Sequence, residues 1–131
     1  MTKQTRRAFI GTSIMAMGAT SSFAAPAAKG VIIHHVFFWL KNPSSSEDLK
    51  KLIEGVQTLK KVESVQEFRI GKPAPTPKRP VVDDSYAISL YTTFNDMAGH
   101  DVYQEHPVHK KFIEVYGNLW SKVQVYDSID I

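Results

Sequence analysis

"GVIIHHVFFWLK", residues 30–41, is a run of β-branched and aromatic residues without an internal turn signal. That composition predicts a β-strand. Its two alternating sets are Val31, Ile33, His35, Phe37 and Trp39 on one side, and Ile32, His34, Val36, Phe38 and Leu40 on the other. Both sets are apolar. A strand with one wet face alternates with polar residues, so this one predicts cover on both faces. The rest of the chain, or a second copy of it, has to supply that cover.

Downstream, "NPSSSEDLKKLIEGVQTLKKV" opens with Ser44 and Glu47 in a capping-box pattern. Leu49, Leu52, Ile53, Val56 and Leu59 then recur at helical spacing, which predicts an amphipathic helix over about 46–61. "SVQEFRIG" (64–71) reads as a second strand. Residues 72–84 carry four prolines and read as a stiffened loop. "SYAISLYTTF" (85–94) predicts a third strand, with Tyr86, Ile88, Leu90, Thr92 and Phe94 facing one way. A short helix capped by Asn95 or Asp96 follows, then a second helix with Pro107 in its first turn. "SKVQVYDSIDI" closes the chain as a strand. This order, β-α-β-β-α-β, is that of an α+β ferredoxin-like unit with a four-stranded antiparallel sheet. Helices cover one face of such a sheet. The economical cover for the other is a second copy, giving a homodimeric α/β barrel.

Upstream lies a segment of another kind. Lys3, Arg6 and Arg7 precede a charge-free stretch of small and apolar residues that ends in Ser22–Phe23–Ala24. That is the layout of a secretory signal peptide, and the arginine pair followed by Ala-Phe-Ile resembles the twin-arginine type. The expectation is a removed signal over 1–24 with cleavage after Ala24, a linker over 25–30, and one domain over 31–131. The mature protein is then exported to the periplasm, by the twin-arginine or general secretory route, without a membrane anchor. The full chain has 16 Lys+Arg and 13 Asp+Glu, and the signal holds three of the basic residues and no acidic one. Thirteen of each remain, so the basic character belongs to the signal. A nucleic-acid binder needs a basic face to displace counterions, and that class is excluded. No cysteine is present, so disulfide and thiolate chemistry are excluded too.

All five histidines fall into two groups, His34 with His35, and His100 with His106 and His109. His106 and His109 are three apart in "YQEHPVHKKF" (103–112), the spacing of neighbours on a helix face. A zinc pair completed by His34 or a carboxylate is one reading. No HExxH pattern or carboxylate-rich loop accompanies it, and His106 before Pro107 reads as the cap of the helix. No metal is therefore expected. His109, Ile113, Tyr116 and Trp120 form a stripe whose leading histidine suits a general base. Tyr103 on the preceding helix suits a hydrogen-bond donor to a developing oxyanion. The competing reading is a core histidine bonded to backbone. His34, Phe38, Tyr86, Ile88, Tyr116 and Trp120 are the candidates to line an apolar pocket for an apolar or aromatic small molecule.

"IIHHVFFWLK" together with "YAISLYTTFNDMAGHDVYQEHPVHKKFIEVYGNLWSKVQVYD" resembles the stress-responsive α/β-barrel family, the Dabb domain. The resemblance spans about 31–130, is densest at "YxxHPxH…F", and implies a dimeric α/β barrel of ferredoxin-like topology. One branch, the plant olivetolic acid cyclase, is a cofactor-free polyketide cyclase. By that resemblance its catalytic tyrosine and histidine fall on Tyr103 and His109, and a first-strand histidine matches His34. A further histidine of that branch, on the third strand, is replaced here by Ile88, and the loop 72–84 differs, which argues against the same substrate. The functional expectation is an exported homodimer with an apolar small-molecule pocket. The alternative is a cofactor-free lyase or cyclase with His109 as base.

Overall fold

A computed structural model of the protein describes residues 30–131. Arg6, Arg7 and Ala24, on which the expected signal peptide rests, lie outside the described residues.

The first strand, β1 (Ile32–Leu40), forms where the apolar run predicts it. After it come α1 (Ser46–Thr58), with a 3-10 turn over Leu59–Lys61, then β2 (Glu67–Gly71) and β3 (Ile88–Phe94). The helices α2 (Met97–Glu105) and α3 (Pro107–Tyr116) follow, and β4 (Trp120–Ile129) ends the sheet. The strand order is β2-β3-β1-β4, with every neighbouring pair antiparallel. β1 is therefore central, which explains why neither of its faces is polar.

The register fixes what each face carries. Opposite His34 stand Thr92 on β3 and Asp127 on β4; opposite Val36 stand Leu90 and Val125. This face looks toward the helices. Ile32, Val36, Phe38, Leu40, Ile88, Leu90 and Phe94 pack there with Leu52, Val56 and Leu59 of the α1 segment, and with Tyr103 and Phe112. Full burial of each aliphatic side chain contributes about 1.5–3 kcal/mol relative to exposure. The other face carries His35, Phe37, Trp39, Tyr91 and Tyr126, in a network of tilted and edge-on aromatic contacts. Phe37 lies 4.4 Å from His35 and 6.0 Å from Tyr126 between ring centroids. No element among the described residues covers it.

The helix ends follow local chemistry, with one shift. Three serines in a row offer three possible caps, and Ser45, not Ser44, is used. Its extended backbone turns Oγ toward the N–H of Asp48 at 3.1 Å, so the helix starts one residue later than a cap at Ser44 requires. Asp96 rather than Asn95 caps α2, accepting from Gly99 N–H at 2.8 Å. His106 both ends α2 and caps α3. Its Nδ1 accepts from Val108 N–H at 3.1 Å, which leaves the proton on Nε2, 3.0 Å from Glu63.

β3 is shorter than the alternation predicts. The chain bends at Ala87, whose N–H still donates to Phe38 O at 2.7 Å. Tyr86 is thereby turned to the outer face, where it packs against Phe37 (4.9 Å) and Trp39 (6.3 Å). Trp39 Nε1–H donates to Ser85 Oγ at 3.0 Å and holds this bend in place. Among the described residues, no helix is long and apolar enough to cross a membrane.

Candidate functional site

Between the inner face of β1 and β4 and the pair α2–α3 lies a cavity of about 450 Å³. Its size suits a small organic molecule. Most of its wall is apolar: Val36, Phe38, Leu90, Phe112, Trp120 and Val125 among others. At one end, His34, His100, Tyr103, His109 and Asp127 converge.

Each of these side chains is delivered by regular structure. His34 stands in the middle of a central strand and is almost fully buried. Asp127 is its register partner on β4, with Oδ1 2.5 Å from His34 Nδ1. A carboxylate only accepts, so Nδ1 donates and the lone pair of His34 is on Nε2. Desolvation lowers the pKa of His34 below its ordinary 6.5, and His100 pushes the same way; Asp127 opposes both without overcoming them. Tyr103, one turn beyond His100 on α2, is 1 % exposed and sits at the centre of the group. Its ring centroid is 4.8 Å from that of His109 and 5.7 Å from that of His34, both edge-on. Burial alone raises its pKa, so Tyr103 stays a hydroxyl and a donor.

His109 is half-buried in the first turns of α3. Its pKa is lowered mainly by desolvation, with His34 and His100 adding to the effect and Glu105 opposing it. It is not a satisfied core residue. Its Nδ1 has neither solvent contact nor hydrogen-bond partner, and the same holds for His100 Nε2. Burial thus favours the neutral imidazole at His34 and His109 beside a protonated phenol, a set able to accept a proton and to donate a hydrogen bond.

Of the predicted residues, His34, Phe38, Tyr103, His109 and Trp120 come together around the cavity. Three others are placed elsewhere. Tyr86 lies on the opposite face because of the bend at Ala87. Ile88 is sealed in the core as the register partner of Phe38. Tyr116 packs its ring against Gly55 of α1, outside the cavity. His100 and Asp127 were not singled out as site residues from the sequence. Both had a readable signal: His100 precedes Tyr103 by one helical turn, and Asp127 interrupts the alternating apolar set Val123, Val125 and Ile129.

The pattern that defines the stress-responsive A/B barrel domain, Dabb, matches residues 32–130. The chain belongs to the Dabb family. A Dabb-family protein of Mesorhizobium loti with a ferredoxin-like fold is 25% identical, with a TM-score of 0.65 over 79% of this chain and 99% of that one. The hydroxynitrile lyase of Passiflora edulis shares 18% identity, with a TM-score of 0.66 over 79% of this chain and 95% of its own. A dimeric ferredoxin-like protein of unknown function from Thermobifida fusca shares 12%, with a TM-score of 0.63 over 80% and 95%. The last two likenesses concern the fold. Comparison with curated proteins gives no match.

Proposed function

We propose that this Dabb protein is a homodimer in which each subunit binds an apolar or aromatic small molecule and moves a proton on it without a cofactor. The observation that carries this reading is the convergence of His34, His109 and buried Tyr103 at one end of a mostly apolar cavity. The apolar wall suits an uncharged organic body, and the polar end suits a carbonyl group. His109 takes a proton from the carbon next to that carbonyl. The C–H electron pair becomes the new carbon–carbon double bond, the C=O π pair moves to the oxygen, and the Tyr103 hydroxyl donates a hydrogen bond to the resulting enolate oxygen. That a hydroxynitrile lyase shares the fold supports a lyase-type use of such a cavity. The aromatic outer face of the sheet, and dimeric proteins among the structural neighbours, support the homodimer.

Chelator-treated protein in D₂O with acetophenone as probe tests the chemistry. The expected result is deuterium incorporation into the methyl group, seen by NMR, with wild-type protein and not with His109→Ala. Cavity resonances that shift with the probe, without incorporation in any sample, leave a binding protein and overturn the proton transfer.

We also infer that residues 1–24 act as a twin-arginine signal cleaved after Ala24, delivering the domain to the periplasm. The arginine pair and the charge-free stretch after it support this. N-terminal sequencing of protein from the periplasmic fraction should begin at Ala25. Replacing Arg6 and Arg7 with lysine should retain the precursor inside the cell.

A further inference from the structure

Where β1, α2 and β4 meet, the polar end of the cavity holds a second constellation. One nitrogen of His34, one of His100 and one carboxylate oxygen of Asp127 all lie within 4.8 Å of one another. Three separate elements bring them together, so local sequence spacing did not reveal the set. The two imidazole rings are 5.1 Å apart between centroids and edge-on.

His100 makes the arrangement informative. Its Nδ1 lies 3.4 Å from Asp101 Oδ1, whereas its Nε2 is shut off from solvent with no hydrogen-bond partner. A desolvated imidazole nitrogen left unpaired is costly, and native proteins pair such atoms with protein, water or an ion. Two imidazoles and one carboxylate form the donor set of borderline divalent ions; magnesium and calcium take oxygen shells instead. His100 and Asp127 also border a second opening of about 240 Å³, beside Met97 and Ile129 at the surface. An ion therefore has a route in.

We propose that His34, His100 and Asp127 bind one divalent transition-metal ion, with Zn²⁺ or Co²⁺ as fitting probes, and leave a coordination position open to the cavity. Donors around a four-coordinate ion stand roughly 3.4 Å apart for bonds of about 2.1 Å. The set must therefore draw in from its 4.8 Å spread. Asp127 is half exposed on an edge strand and His100 sits on the short helix α2, so side-chain rotation at these two supplies the movement. The inference goes against the sequence reading, which expected no metal. It does not depend on the proposed proton transfer, because ion binding is read without substrate and deuterium exchange is read in chelator-treated protein.

The test is titration of the chelator-treated chain with Co²⁺, followed by its visible d–d absorption, with Zn²⁺ as competitor. One ion per chain is expected, displaced by Zn²⁺. His100→Ala and Asp127→Asn should each weaken binding by at least about tenfold. His106→Ala, which removes the other histidine–carboxylate contact with Glu63, should leave it unchanged. In case a substitution perturbs folding, the wild-type imidazole NMR signals give a second readout. Substoichiometric Co²⁺ should shift or broaden those of His34 and His100 and leave that of His106 sharp. Absence of saturable binding, or binding that follows His106 instead, overturns the proposal.

Discussion

His34 and Asp127, 93 residues apart in sequence, meet across the β1–β4 pairing with Nδ1 2.5 Å from Oδ1. Desolvation nevertheless wins over this contact, and the pKa of His34 lies below 6.5. The sign follows from proton counting. The unfolded chain binds a proton at this site at a higher pH than the folded one does. Stability from His34 is then fully present above about 6.5 and lost as pH falls through the folded pKa. Asp127 limits that loss by favouring the charged ring. In chelator-treated Asp127→Asn, the amide oxygen still accepts from Nδ1–H but the charge is gone. The groups facing His34 from neighbouring elements, His100, Tyr103 and His109, supply no compensating negative charge. The urea midpoint of the variant should fall further than that of the wild type between about pH 7.5 and pH 5. Parallel losses in the two proteins would contradict this account.

His109 and Tyr103 have different weights in the proposed proton transfer. Removing the base in His109→Ala should slow deuterium exchange by about 10²–10⁴. Tyr103→Phe keeps the ring that packs 5.1 Å from Phe94 and loses only the donor. Exchange should then fall by about 10²–10³, with the melting temperature near that of the wild type. Equal melting curves with unequal exchange rates are the diagnostic outcome. If Tyr103→Phe exchanges at the wild-type rate, the hydroxyl has no part in the chemistry.

Gly55 sits inside α1, where glycine costs about 1 kcal/mol relative to alanine. Its use is steric. A Cβ there would lie 2.6 Å from the Tyr116 ring, closer than the packed helices α1 and α3 permit. Gly55→Ala should therefore destabilise by about 1–2 kcal/mol net of its propensity gain, in urea denaturation. Combining it with Tyr116→Leu should recover much of the loss. A stabilised Gly55→Ala would mean that the two helices separate freely at this point.

The contrast between Gly55 and Asp127 marks what was legible in the sequence. Elements showed clearly because their causes are local: the apolar periodicity of α1, the proline at the start of α3, the doubly apolar β1. Tyr103, His109 and His34 were also visible, being carried by a motif and a strand. His100 and Asp127 each leave a local trace, but their meeting with His34 depends on which strands pair and on how α2 sits over them, and no short window of sequence encodes that. Tyr86 was misplaced because one bend at Ala87 reverses the parity of every residue before it. Ser44 and Ser45 carry the same capping side chain, so only the backbone turn at Ser45 decides between them.

His106 is legible as a cap, and its role is separable from the chemistry next to it. Its Nδ1 accepts from Val108 N–H and its Nε2 faces Glu63. His106→Ala leaves that N–H without its cap and should cost about 1 kcal/mol, read by thermal or urea unfolding. His106→Asn, which can accept the same bond, should restore most of it. Deuterium exchange should be unchanged in both, because this ring does not border the cavity. A large loss of exchange in His106→Asn would place the residue in the reaction after all.

The outer face of the sheet supplies the last prediction. Phe37 lies in its centre, with rings of His35, Tyr86 and Tyr126 around it, and Tyr126 is 62 % exposed. A contiguous aromatic surface of this kind on a small domain has a hydration cost that a second copy removes by packing sheet to sheet. A charge at its centre would have to be buried without a partner. Phe37→Asp should therefore sediment as a monomer at micromolar concentration, and the wild type as a dimer. Because β1 also carries His34 on its inner face, loss of the dimer should loosen the strand that positions the cavity. Phe37→Asp should then lower the affinity for an aromatic ketone probe without touching a cavity residue. A wild-type protein that sediments as one chain, or a Phe37→Asp protein that remains dimeric, rules out this face as the interface.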